Sequence, residues 1–505
     1  MRKGSWPVVR PKEGYPEEFD WRALLYNGVG AVALAVVAAG WIDISAFLAA
    51  LTPCAEPPVE VLIIEDQVRW GAGVAAAFLF LRGFGVFRLP WFRGLTSLLG
   101  RGNAVTWALV IFGVALALRL GYAFFAEPPP VSDEQHYDAL ARNLAAGKGY
   151  TEAGVPTAYW PVGYPLILAT SYIIFGYHYL PVIILQAAIG AATAVGVYLI
   201  AVALGVGPWG RAGALLLALW PSQIAYASRL FPYVVFGFVL LAAVYLVTKY
   251  GGYIAAAVAG VLAGCAALLM PIAFPLPVLF FLHDVLARRG VLRAVARGAL
   301  AAAVAGVIIT PWVWRNYRAF GEFIPGDTNG GVTLWIGNNP RATGTYNFPL
   351  DRKNPLYLFD GEIERDREGY RLSWFYIRHN LHQFLLLAVP KFVYIYGADV
   401  SGFQLEGLRR GEDTRETAVS FRARLAQTYY ALFWVLFVLG VYRYRRHLFN
   451  IRLPARSSLA ALLLWPVYLT AVYLVFFGQD RYHLAMVPFM ALLAGAAVVS
   501  LKENP

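Results

Sequence analysis

The sequence predicts an all-α integral membrane protein, a polytopic bundle of about twelve transmembrane helices with two long extracytoplasmic loop regions. Of its 505 residues, 59% are hydrophobic and 14% charged, and the mean hydropathy is +0.56, too apolar for a soluble globule. The apolar residues recur in runs of about 17–25, the length of a bilayer-spanning helix. Runs such as Val182 to Leu204 are apolar on every side, whereas the strands of a membrane β-barrel alternate apolar and polar residues.

In chain order the spans are 26–51, 72–90, 104–126, 180–204, 211–228, 231–249, 253–269, 271–287, 298–314, 425–442, 457–477 and 483–501. With both termini cytoplasmic, three short basic loops become cytoplasmic too: Arg88, Arg93 and Arg101, then Arg288, Arg289, Arg293 and Arg297, then Arg443, Arg445, Arg446, Arg452 and Arg456. The positive-inside rule is met at each. Topology thus explains the net charge of +12, and no nucleic-acid partner is expected. The segments 127–179 and 315–424 then lie outside. Each contains an apolar stretch, 163–176 and 384–398, expected to lie in the interface or on the bundle.

Four units follow: an N-terminal addition (1–103, two spans), a transmembrane module with the first outer loop (104–314), a second outer region (315–424) and C-terminal spans (425–505). The start, Met1 to Trp21, is charged and Pro-rich rather than a removable signal peptide. Cys54 and Cys265 lie too far apart to suggest a disulfide framework or metal cluster. No repeat at a fixed period is visible, which gives no support to an inverted-repeat transporter.

The first outer loop carries Ser132-Asp133-Glu134-Gln135-His136-Tyr137 just beyond a span. Ser132 with Gln135 forms a capping-box pattern, and Tyr137, Leu140, Ala141 and Leu144 recur at helical spacing until Gly147. A short amphipathic surface helix over 133–146 is predicted, with two carboxylates in its first turn. Acidic residues favour that turn for the helix dipole alone. Here they also have polar and aromatic company: His136, Tyr137, Lys148, Tyr150 and Tyr159-Trp160-Pro161-Val162-Gly163-Tyr164-Pro165.

The second outer region opens with Trp312-Val313-Trp314-Arg315-Asn316. A strand-like Val332 to Ile336 follows, ending in a Gly337-Asn338-Asn339-Pro340 turn able to offer amides to a polar ligand. Outer-face cations are Arg119, Arg315, Lys391 and Arg481, the last within Gly478-Gln479-Asp480-Arg481-Tyr482-His483. Arg119 sits about two turns inside its span, where a charge needs a partner. Asp133 or Glu134 is the expected one. Guanidinium groups suit phosphate because they fork onto two oxygens.

Together these pieces resemble the GT-C superfamily of multi-span glycosyltransferases, in particular bacterial relatives of the dolichyl-phosphate-mannose protein mannosyltransferases (glycosyltransferase family 39). The matching parts are Leu118-Arg119-Leu120, Asp133-Glu134 with Tyr137, Tyr164-Pro165, Pro311-Trp312 with Arg315-Asn316, Gly337-Asn338-Asn339-Pro340 and Arg481-Tyr482. They span residue 104 to the end. The resemblance implies a GT-C-like bundle in the plasma membrane that performs inverting transfer of a hexosyl or pentosyl unit from a polyprenyl-phosphate donor. The acceptor would be a hydroxyl of a lipid, glycan or protein at the outer face. It implies Asp133 as general base with Glu134 beside it, and Arg119, Arg315, Lys391 and Arg481 for the donor phosphate. His136, Tyr137, Tyr164, Asn338, Asn339 and Tyr482 become substrate contacts. No cofactor is implied; the carboxylates could hold a divalent metal, which monophosphate donors do not require. The sequence departs from relatives at Tyr233, where they carry an acidic residue, and at Met270, where they carry arginine before proline. A lipid-linked-sugar flippase, with Asp43 and Arg82 as ionisable residues in spans, and a catalytically silent subunit are the rival readings.

Overall fold

The computed structural model describes residues 30–32, 34–40, 43–52, 59–83, 86, 94, 96–125, 130–347, 354–410, 413–448 and 461–500. Arg88, Arg93, Arg452, Arg456, Cys54 and the segment 1–29 lie outside them.

The described chain is helical apart from one two-stranded hairpin. Its helices are α1 (Ile44–Ala50), α2 (Val59–Gly83), α3 (Ala104–Phe125), α4 (Asp133–Ala145), α5 (Gly163–Phe175), α6 (Leu180–Ala203), α7 (Gly207–Ala218), α8 (Pro221–Tyr226), α9 (Tyr233–Lys249) and α10 (Tyr253–Leu269). They continue as α11 (Leu276–Leu286), α12 (Val291–Phe320), α13 (Gly330–Gly337), α14 (Glu362–His379), α15 (Leu381–Tyr396), α16 (Ser401–Arg410), α17 (Thr414–Ala418), α18 (Phe421–Leu448), α19 (Leu464–Val475) and α20 (Val487–Ser500). The hairpin strands β1 (Thr151–Glu152) and β2 (Val155–Pro156) pair antiparallel. Among the described residues, α3, α6, α12 and α18 are long and apolar enough to cross a membrane unaided, and the other apolar helices are shorter.

The core lies where α6, α7, α9 and α20 meet. Small residues allow the approach: a Cβ on Gly213 would stand 2.3 Å from the Ala491 carbonyl oxygen, and one on Gly495 would stand 2.2 Å from that of Trp209. Likewise, Gly260 and Gly264 of α10 face the Ala301 and Ala305 carbonyls of α12. Association of apolar helices rests on such close packing, because lipid offers no hydrophobic drive between them.

Several predicted elements are redrawn. The span expected at 211–228 is broken at Pro221, which has no N–H to continue the ladder, into α7 and α8. The helix expected at 72–90 begins at Val59. Val332 to Ile336 is not a strand but part of α13, because its face packs on α14: a Cβ on Gly331 would lie 1.9 Å from the Asp366 carbonyl oxygen. α5 and α15 occupy the two apolar stretches of the outer segments. α5 packs along α4, where the Tyr172 hydroxyl donates to Asp138 at 2.6 Å.

Candidate active site

α4 forms as its periodicity predicts, with Tyr137, Leu140 and Ala141 buried and Gly147 beyond it at φ +73°. The predicted capping box does not form. Ser132 is at φ 53° and makes no side-chain cap; Glu134 takes over, its Oε2 accepting from the Val131 N–H at 3.1 Å. The longer glutamate side chain can fold back past the first turn, whereas the serine hydroxyl points to Asp133 at 3.5 Å.

The two adjacent carboxylates therefore part company. Glu134 is fully buried. Its Oε1 accepts from the Leu230 N–H at 2.8 Å, and Arg229 lies 4.0 Å from Oε2, so it joins α4 to the chain entering α9. Asp133 faces the other way and meets Arg481, Nη1 to Oδ2 3.2 Å, with side-chain exposures of 28% and 18%. The pair is reachable from outside yet mostly enclosed.

Arg481 is held by its neighbours. Its Nε donates to Gln479 Oε1 at 2.8 Å, and its guanidinium carbon lies 5.5 Å and 5.9 Å from the ring centres of Phe231 and Tyr233, a cation–π arrangement. Five phenols lie within electrostatic range of Asp133: Tyr137, Tyr159, Tyr233, Tyr346 and Tyr482. Burial pushes Tyr137, Tyr159, Tyr346 and Tyr482 up from the ordinary phenol value, so each is a neutral hydroxyl able to donate or accept. Tyr482 is stacked on Tyr473 with centroids 4.1 Å apart, and Tyr137 meets Trp160 and Tyr164 edge-on at 5.2 and 5.5 Å. Aromatic faces, hydroxyls and the Asp133–Arg481 ion pair are thus gathered into one cluster.

The remaining predicted residues fall outside this cluster or are otherwise engaged. Arg119 does not pair with Asp133 or Glu134; it is buried among α3, α6 and α7 and donates to the Ala115 and Ala218 carbonyl oxygens at 3.0 and 3.3 Å. Both carboxylates are already claimed by Arg481, Arg229 and backbone N–H groups, and backbone carbonyls at the helix crossing serve Arg119 instead. Gly190 makes room for it, since a Cβ there would stand 2.6 Å from Nε. Arg315 donates to the Thr157 carbonyl oxygen at 2.7 Å and to that of Tyr150, pinning the first outer loop. Glu362 of α14 pins the same loop through the Thr157 hydroxyl and the Ala158 N–H at 2.6 and 2.7 Å.

Lys391 is fully buried, donating to Asn338 Oδ1 at 3.1 Å and the Val475 carbonyl oxygen at 3.3 Å. Asn338 and Asn339 turn their amides back on α13, to Leu334 and Trp335 at 2.9 and 2.8 Å, so they close that helix rather than face a ligand. Tyr164 donates to Gln186 at 3.0 Å inside the bundle. His136 stacks on Trp160 and contacts Glu152. Sequence reasoning missed Tyr346, Phe231 and Glu152, because none carries a periodic or motif signal, and named Tyr159 only as aromatic company of the two carboxylates. It noted Tyr233 only as a departure.

No family model and no curated protein matches this chain. Among solved structures, the chain is similar to the archaeal oligosaccharyltransferase AglB from Archaeoglobus fulgidus in complex with an inhibitory peptide and a dolichol-phosphate (13% identity, TM-score 0.47, covering 78% of this chain and 50% of that one). It is also similar to ArnT from Cupriavidus metallidurans bound to undecaprenyl phosphate (14% identity, TM-score 0.38, covering 79% and 76%). The chain thus spans about half the length of the oligosaccharyltransferase.

Proposed function

We propose that this protein transfers a monosaccharide from a polyprenyl-phosphate-linked donor to a hydroxyl acceptor at the extracytoplasmic face of the plasma membrane, with inversion, and that both of its termini are cytoplasmic. The observation that carries this reading is the Asp133–Arg481 pair, 3.2 Å apart, with five phenols close around it. A donor phosphate would take the Arg481 fork and separate it from Asp133. Negative charge growing on the departing phosphate would then be met by a cation already in place, with the carboxylate facing the sugar carbon. Sugar hydroxyls would be received by the tyrosines. Attack from the face opposite the phosphate gives inversion.

Arg481 is the phosphate cation in this scheme. Arg315 and Lys391 serve to hold the outer loops in register, and Glu134 to hold α4. Two groups in or beside the cluster can accept the acceptor's proton: Asp133, which the family resemblance assigns, and His136. Purified protein given a panel of polyprenyl-phosphate hexoses and pentoses should release polyprenyl phosphate from at least one of them. Asp133→Asn should abolish that release while circular dichroism and the melting temperature stay unchanged. Full transfer by a folded Asp133→Asn protein would sink the assignment of the site.

A further inference from the structure

His136 follows Asp133 by three residues on α4, so the two side chains leave neighbouring positions on one helix face. The imidazole is stacked on Trp160, with centroids 5.2 Å apart and 27° between the planes. Trp160 meets Tyr137 and Tyr159 edge-on at 5.2 and 5.4 Å, and both of those phenols belong to the cluster around Asp133. Nδ1 lies 2.6 Å from Oε1 of Glu152 on β1. An ionised carboxylate only accepts, so Nδ1 carries the proton and donates it; an uncharged imidazole in that tautomer has its lone pair on Nε2. The two side chains are 47% and 37% exposed, open to an incoming acceptor. Glu152, from the hairpin, is a charged group in direct contact with the ring. Asp133 has its Oδ2 already on Arg481.

We infer that His136, oriented and charge-compensated by Glu152, is the base that takes the acceptor's proton, leaving Asp133 to stabilise the positive charge that develops on the sugar ring. This rests on the glycosyl-transfer reading above. The acceptor's O–H proton passes to Nε2 while the acceptor oxygen's electron pair forms the bond to the anomeric carbon. The bond from that carbon to the phosphate oxygen breaks, its electron pair leaves with polyprenyl phosphate, and the added charge falls on Arg481. The imidazolium, stabilised by Glu152, then returns its proton to water. Two-carboxylate schemes for glycosyl chemistry divide the same two roles, proton transfer and charge stabilisation, between separate groups.

The test uses the purified full chain with undecaprenyl-phosphate-linked mannose, glucose and arabinose, with water as the hydroxyl acceptor, and counts the undecaprenyl phosphate and free sugar released. His136→Gln, whose amide can still donate to Glu152 and hold the hairpin, should lower turnover about 100-fold, the usual range for losing a general base. His136→Gly should fall equally and recover about 10-fold or more on addition of imidazole, which a purely structural role for His136 would not produce. Glu152→Gln keeps the hydrogen bond but loses the charge, and should fall less. Wild-type turnover in His136→Gln, or a His136→Gly loss that imidazole does not restore, overturns the assignment of His136. A wild-type protein that acts on none of the three donors overturns the glycosyl-transfer reading, and the inference with it.

Discussion

Arg481 reaches Asp133 because the residues on either side of it are fixed. It lies in a 3-10 turn, Asp480–Ala485. Asp480 Oδ2 accepts from the Val400 and Ser401 N–H groups at 3.0 and 2.8 Å. His483 is fully buried between two acceptors, the Ile395 carbonyl oxygen on Nδ1 at 2.8 Å and Asp399 Oδ1 on Nε2 at 3.2 Å. Both ring nitrogens must donate, so the ring is an imidazolium paired with Asp399, whose Oδ2 accepts from Trp220 Nε1 at 2.7 Å. Breaking such a pair from one side strands a buried charge, which costs about 3–5 kcal/mol. Asp399→Ala should therefore destabilise the protein by about that amount in denaturant unfolding in detergent; a loss under about 1 kcal/mol would mean that His483 is neutral. Arg481→Lys keeps the charge but loses the fork. It should lower turnover about 100-fold, as removal of a positioned transition-state donor does, with folding unchanged; near-normal turnover would place the phosphate elsewhere.

At the scale of elements, α13 and α14 form the support for the outer loops, and they touch backbone to backbone. A Cβ on Gly369 would lie 2.5 Å from the Gly331 carbonyl group, so Gly369→Ala should cost about 1–3 kcal/mol through overpacking, read as a lower melting temperature. The same contact holds two acids. Asp366 accepts from the Gly331 N–H at 2.6 Å and is raised to about 6, first by burial. Asp327 is raised from 3.8 to about 7, first by burial and also by Asp366 nearby. A raised carboxyl favours the folded state while protonated, and that contribution is lost as pH climbs through the folded value. Docking of α13 on α14 should thus weaken between about pH 4 and pH 7. Protection from amide exchange across residues 330–337, corrected for the intrinsic pH dependence of exchange, should fall over that window, and Asp327→Asn should flatten the dependence; an unchanged slope in the variant would clear Asp327 of the effect.

At the scale of the whole molecule, the N-terminal addition is built into the bundle. Ile44, Leu48 and Ile64 pack with Tyr394, Phe403, Ala423 and Ala426 in one buried cluster. Gln67 donates to the Ala418 carbonyl oxygen at 3.0 Å, and Gln427 donates to that of Gln67 at 3.0 Å. Gln427 also accepts from the Asp399 N–H at 3.0 Å, so the addition is tied to the segment that anchors His483. Gln427→Leu would leave buried polar groups without partners, at about 1–3 kcal/mol, and should lower both the melting temperature and turnover. Asp43, named among the ionisable residues of a transporter reading, instead caps α1 by accepting from the Ala46 N–H at 2.8 Å.

The sequence alone determined the membrane class, the helix α4 and the choice of Asp133 and Arg481 as residues of interest, since hydropathy runs, helical spacing and charge placement are local signals. It did not determine their partners. Asp133 and Arg481 stand 348 residues apart, and the same spacing rules that drew α4 allowed Arg119 as a partner. Which carboxylate meets Arg481 depended on Glu134 being claimed by Leu230 and Val131. The strand expected at Val332 to Ile336 became a helix because its glycines can lie against α14. Pairing, burial and the ring of tyrosines arise when distant helices pack. A buried charge takes whichever partner the packing brings within reach, and only the tertiary structure decides that.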